Sequence, residues 1–199
     1  MTAGQRRGRW SGVPLEDRQT RRRDELLAAG VALLGDERGP ALTVRAACRA
    51  ASLTERYFYE SFTDRDEFVR AVYDHVCGTA MAALSSASTP RDAVERFVAL
   101  MVDDPVRGRV LLIASEREPV LVKSGADWMP SFIDLIQHKL TRRITDTTLQ
   151  AMVATGMVGA LTALFTAYLN GRLVATRVQF IDYCVDMLLS PVSSPQQSR

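Results

Sequence analysis

The sequence predicts an all-α protein in two parts, an N-terminal three-helix head with a helix-turn-helix followed by a larger C-terminal helical bundle. Residues 43–68 carry two short helical patterns on either side of a compact Ala51-Ser52-Leu53 break. Beyond residue 90, apolar residues recur at three- and four-residue spacing in stretches punctuated by Pro and Gly. No alternating strand pattern appears, and 47% hydrophobic content over 199 residues is ample for a core.

Residues 1–17 read as a basic, flexible arm. Arg6, Arg7 and Arg9, with Arg18 and Arg21 to Arg23 just beyond, stand against only Glu16 and Asp17. Such an arm strengthens phosphate binding without selecting sequence, and can enter a minor groove. A solvating tail is the alternative for residues 1–15, whereas Arg21 to Arg23 are expected near phosphate. Whole-chain charge is only +2, so the basic bias is local.

The head is expected over 18–70. Its first helix, about 18–35, presents Leu26, Leu27, Val31, Leu33 and Leu34 to the interior, and Gly39-Pro40 ends the connection that follows. In the second helix Val44, Ala47, Cys48 and Ala51 stack on one inward face, leaving Arg45 and Arg49 outside. Thr43 is placed to cap that helix, and Thr54 to cap the third. Leu53, Phe58 and Phe62 form the third helix's apolar side. Glu55, Arg56, Tyr57 and Tyr59 are then free to face outward from a reading helix over 54–60.

A fourth helix begins near Asp64 and carries Phe68, Val72, Tyr73 and Val76 on one face. SSASTP, residues 85–90, reads as a linker. Apolar-periodic stretches follow at about 91–103, 106–117, 124–144, 147–170 and 174–189, broken at Pro105, Pro119, Gly125, Pro130 and Gly171. Residues 71–190 therefore read as a bundle, and 191–199, rich in Ser, Pro and Gln, as a frayed tail.

The ordered set Thr43, Arg45, Ala47, Cys48, Ala51, Ser52, Leu53, Thr54, Tyr59, Phe62, Arg65 and Phe68 resembles, without a gap, the DNA-binding segment of TetR/AcrR-type transcriptional regulators. Departures are Ala47 for Ile, Cys48 for Ala, Ser52 for the turn Gly, Leu53 for Val, Arg65 for Lys and Phe68 for Leu. Ser52 must take the turn conformation without glycine's freedom.

The resemblance implies a palindromic double-stranded DNA operator bound by a homodimer, with repression relieved by a small molecule. A reading helix fits the major groove, where Arg56 can offer a planar fork to guanine and Tyr57 a ring and a hydroxyl. Arg45 can reach a base edge or a phosphate. Thr43, Tyr59 and Arg65 occupy positions that meet the backbone. Glu55 could accept from cytosine or simply suit a helix's first turn. Arg56 and Arg49 have ordinary solvated charge as their rival reading, and Tyr59 has partial burial.

The family also implies a pocket among the middle helices. Phe97, Met101, Leu112, Trp128, Phe132, Met157, Leu161 and Phe165 are candidates to line it, favouring an apolar or aromatic effector. Plain core packing is the competing role for each. Glu116 and Arg117 are polar handles or solvated charges. A dimeric regulator with no small-molecule effector, controlled by a protein partner or constitutive, remains the alternative.

Thr147 to Gly171 contains no charged residue, long enough to raise a membrane span. Gln150 and five threonines moderate it, and the flanking Arg142, Arg143, Arg172 and Arg177 show no inside bias. Gly156, Ala160, Ala163 and Ala167 instead form a small-residue face for close helix approach. In the resembled family the last two helices build the dimer interface, with Val174, Val178, Ile181, Val185 and Leu188 expected as its second stripe.

No membrane partner, cofactor or metal is expected. Cys48, Cys77 and Cys184 are far apart and odd in number, and His75 and His138 lack ligand partners at metal spacing. The absence of an apolar N-terminal stretch predicts a cytoplasmic location. An enzyme finds no support, with no glycine-rich phosphate loop and no recognisable nucleophile set.

Overall fold

The computed structural model describes residues 15–140 and 144–190. The expected arm up to residue 14, Arg142, Arg143 and the tail 191–199 lie outside them. Among the described residues there are ten helices and no strand: α1 Leu15–Gly35, α2 Val44–Ala50, α3 Glu55–Tyr59, α4 Arg65–Ser85, α5 Pro90–Met101, α6 Pro105–Leu112, α7 Ala114–Arg117, α8 Leu121–Leu140, α9 Thr147–Leu169 and α10 Arg177–Leu189.

Short polar residues start most of these helices. Thr43, Asp64, Thr89, Asp104 and Asp146 each accept from a backbone N–H in the first turn, and Thr176 forms a reciprocal capping box with Gln179. Proline follows the cap in α5 and α6, where its missing N–H costs nothing. Thr54 departs from expectation: it occupies the cap position of α3, but its hydroxyl makes no capping bond.

Pro130, expected to break the chain, lies inside α8. The carbonyl it leaves without a helical donor belongs to Ala126, and both residues are on the exposed side where water can serve it.

One apolar cluster runs from Leu26 and Leu27 of α1 through Phe58, Phe62 and Phe68 to Phe165, Ile181 and Val185. Helix α4 is its axis, with Phe68, Val69, Val72, Val76 and Cys77 fully buried. The boundary expected at residue 70 falls within this helix, so the head and the bundle share an element and a core. Gly30 lets α1 approach α4: a Cβ there would lie 2.4 Å from Val72 Cγ2 and 2.8 Å from Phe68 Cζ. All three cysteines are buried as free thiols. Burial holds each thiol above its ordinary range, to about 12 at Cys77 and about 11 at Cys184, while at Cys48 the Glu55 carboxylate adds to the effect.

Candidate nucleic-acid interface and ligand cavity

The helix-turn-helix is built by a backbone motif. Leu53 N donates to Cys48 O at 2.9 Å and Ser52 N to Arg49 O at 3.2 Å, the paired bonds of a Schellman cap. That cap requires a left-handed residue after α2, and Ser52 supplies it at φ 55°. The chain then turns into α3, whose Phe58 is wholly buried. Its ring lies 5.5 Å from Phe62 and 5.2 Å from Phe68, anchoring the short helix by one face.

The opposite face presents Arg45, 90% exposed in its side chain, and Arg56, 84% exposed. Tyr59 is exposed beside them, with its ring edge against Phe58. Thr43, at the start of α2, and Thr54, at the start of α3, are also exposed. Glu55 has a clear local role. Its carboxylate lies 3.4 Å from Arg45 Nε, so the acid steadies an arginine of the neighbouring helix.

Tyr57 is not the free outward side chain that the sequence suggested. Its ring is covered by the Arg22 guanidinium from α1, 4.1 Å from the centroid. Arg22 also pairs with Glu60, and Glu60 pairs with Arg56. Arg23 donates to Ser61 O at 3.0 Å and sits 4.4 Å over Phe62. Of Arg21 to Arg23, expected near phosphate, two are engaged within the head itself. Only Arg21 stands out in solvent, paired with Glu25, while Arg22 and Arg23 fasten α1 to the end of α3.

Arg65 is likewise engaged within the protein. Its Nε donates to Leu42 O at 2.8 Å, while its terminal nitrogens reach Asp66 and, at 2.6 Å, Glu118. Those partners hold the guanidinium more firmly protonated, the Glu118 hydrogen bond most of all. Glu37 adds a second tie across the junction, 3.0 Å from Arg117 and 3.7 Å from Arg109. Arg117 is thus a junction residue, and Glu116 is exposed rather than part of the cavity wall. Neither Glu60 nor Glu118 was singled out by the sequence, since each meets an arginine 38 or 53 residues away.

Inside the bundle a cavity of about 400 Å³ lies among α4, α5, α6, α8 and α9. Phe97, Leu112, Trp128, Phe132, Met157, Leu161 and Phe165 line it. Met101 does not. It is fully buried in the core at the end of α5, where its carbonyl lies 2.0 Å from the point a Gly108 side chain would occupy, so close packing against α6 leaves no open space. Tyr73, which the sequence gave only as a packing residue, also lines the cavity, and its hydroxyl donates to the Cys77 thiol. Burial keeps that phenol protonated. At the same end Trp128 Nε1 donates to Asp74 at 2.7 Å.

The exposed side of α9 carries Met152, Gly156, Gly159, Ala160 and Ala163, while Val153, Ala154, Met157, Val158 and Phe165 face the protein's own interior. Nothing lies within 4 Å of a Cβ built at Gly156 or Gly159. Among the described residues α9 is the one helix long and apolar enough to cross a membrane. The second stripe expected on 174–189 divides: Val174 and Val178 are exposed, but Ile181 and Val185 are buried in the same protomer's core, with Leu188 half-buried. Tyr183 and Leu189 add exposed apolar surface. Among the described residues no group of three or more His, Cys, Asp or Glu could hold a metal ion.

A short helix exposed on an aromatic base, joined through one long helix to a bundle with an apolar cavity, matches the fold of TetR-family transcriptional regulators. A putative TetR-family regulator from Rhodococcus sp. superposes with a TM-score of 0.67 at 20% identity, covering 87% of this chain and 100% of that one. The fatty acid degradation regulator FadR from Bacillus halodurans gives 0.64 at 13% identity, with 84% and 94% covered. The multidrug binding protein EbrR, in complex with imidazole, gives 0.61 at 17% identity, with 94% and 99% covered. No family model and no curated protein matches the sequence.

Proposed function

We propose that this chain is a TetR-type, sequence-specific DNA-binding transcriptional regulator that acts as a homodimer in the cytoplasm and represses until a small, apolar or aromatic molecule binds. The observation that carries the reading is the exposed set Arg45, Arg56 and Tyr59 on a helix-turn-helix whose buried face is fixed by Phe58 and Phe62. Arginine forks suit guanine edges, and the width of a helix suits the major groove. The structural likeness to a multidrug binding protein and to a fatty acid degradation regulator supports a small-molecule effector.

One five-residue helix buries little surface, so tight binding calls for two heads on a palindrome. The uncharged outer face of α9, with Val178 and Tyr183 of α10, reads as the subunit contact rather than a lipid-facing span. Ligand binding acts through α4, which forms cavity wall at Tyr73 and head core at Phe68. An effector weakens DNA binding only by the difference in its affinity for the two arrangements of the heads.

Selection from a random duplex pool with purified protein, followed by a salt titration on the winning sequence, tests this reading. A palindrome with half-sites about one helical turn apart is expected. Weak, salt-sensitive binding with no enriched sequence would overturn it.

A further inference from the structure

We infer that the cavity takes an amphipathic monocarboxylate, its aliphatic body lying between α4 and α8 and its carboxylate at Lys139. The inference rests on reading the cavity as an effector site, and adds the chemical class of the ligand.

The first argument is shape. Tyr73 and Gly125 meet at one end, the phenol oxygen 3.4 Å from the position of a Gly125 Cβ. At the other end Lys139 Nζ donates to Ala87 O at 3.5 Å, in the link between α4 and α5. Gly125 and Lys139 both line the cavity, and their separation along α8 corresponds to about 21 Å of helix. The space is therefore drawn out along α8, which suits an extended chain.

The second argument is charge. Lys139 is the one ionised side chain among the described lining residues, and no carboxylate lines the space. Among the described residues the ammonium's one partner is the Ala87 carbonyl, at the limit of hydrogen-bond length. The other lysine, Lys123, is fully matched by Asp127 at 2.5 Å. The Asp92 carboxylate, near the same link, is committed to Arg96 at 2.6 Å and accepts from Ser88 N at 3.0 Å. Lys139 can lay its methylene stem along the apolar wall and keep its charge at the rim.

The third argument is polarity elsewhere. The opposite end of the cavity has already spent its donors, Tyr73 on Cys77 and Trp128 on Asp74. A polar head placed there would find no free partner, whereas a carboxylate beside Lys139 meets an available ammonium. A cationic amphiphile would meet like charge at the same point.

The test compares dodecanoate, dodecanol and dodecylammonium below their micelle concentrations, by calorimetric titration of the full-length protein and of Lys139→Gln and Leu161→Trp variants. Wild type should bind the carboxylate about two- to fivefold more tightly than the alcohol, the scale of a rim ion pair, and the ammonium most weakly. Lys139→Gln should bring dodecanoate down to the alcohol's affinity while leaving the alcohol unchanged, and Leu161→Trp should block all three. Equal binding of acid and alcohol to wild type, or a carboxylate preference that survives Lys139→Gln, would overturn the anionic assignment and leave the cavity reading intact. Failure of all three to bind, or binding undiminished in Leu161→Trp, would overturn the cavity reading itself.

Discussion

Ser52 holds φ at 55°, a left-handed conformation in which a side chain is strained and glycine is not. Replacing it with glycine should relieve that strain, offset in part by the greater freedom of the unfolded chain. Ser52→Gly is expected to raise stability by about 1 kcal/mol, read as a higher urea midpoint with an unchanged slope. A lower midpoint would mean that the serine side chain contributes to the turn. Arg56, by contrast, is tied among the described residues only to Glu60, at 3.3 Å on an exposed surface, a pairing too weak to restrain it. Arg56→Ala should cost about 1–3 kcal/mol of operator affinity and relax preference at one base position. Equal loss on operator and random duplex would remove it from the base-reading set. The turn strain at Ser52 could be foreseen because the local motif demands a left-handed residue wherever the next helix must start so soon. The capture of Arg22 by Tyr57 and Glu60 could not be, because no local pattern links positions more than thirty residues apart.

The helices themselves follow from spacing and caps. Thr43 and Asp64 cap as their chemistry dictates, and Phe68, Val72, Tyr73 and Val76 turn inward as one face of α4. What periodicity leaves open is which neighbour covers an apolar face. Ile181 and Val185 share a sequence stripe with Val178, yet they pack within the protomer while Val178 remains bare. The junction between head and bundle depends on the same kind of long-range fact. Glu118 follows α7, immediately ahead of the cavity helix α8, and holds Arg65 at the start of α4. Glu118→Gln should lower stability by about 1 kcal/mol, the scale of a partly exposed ion pair with a short hydrogen bond. It should also loosen the guanidinium, left with Leu42 O and Asp66, so that operator binding rises and its salt dependence steepens by about one ion. An unchanged salt slope would show that Arg65 stays out of reach of phosphate even when released.

At the scale of the whole molecule, the exposed apolar surface on α9 and α10 is the main departure from a self-sufficient monomer. A charge placed there would be buried without a partner in any dimer that uses the face. Val178→Glu is expected to yield monomers in sedimentation at concentrations where wild type is dimeric, with the helical content kept and operator affinity lost. A variant that remained dimeric would move the contact elsewhere. The two-part plan, the helix-turn-helix and the residues of most of the cavity wall were readable from sequence, since each depends on local spacing or on large apolar residues in the middle helices. Met101 escaped because a fully packed residue and a cavity residue carry the same sequence signature.

The three buried thiols also divide the molecule conveniently. Cys48 lies in the head, Cys77 midway along α4 and Cys184 in α10, each shut from solvent and held protonated by its surroundings. A thiol reagent can therefore react only when the corresponding region opens. With no substitution at all, peptide-resolved labelling rates should report three separate opening equilibria. Operator DNA is expected to slow Cys48 selectively and a cavity ligand to slow Cys77, so that the three native thiols would time the opening of the head, of α4 and of α10 separately.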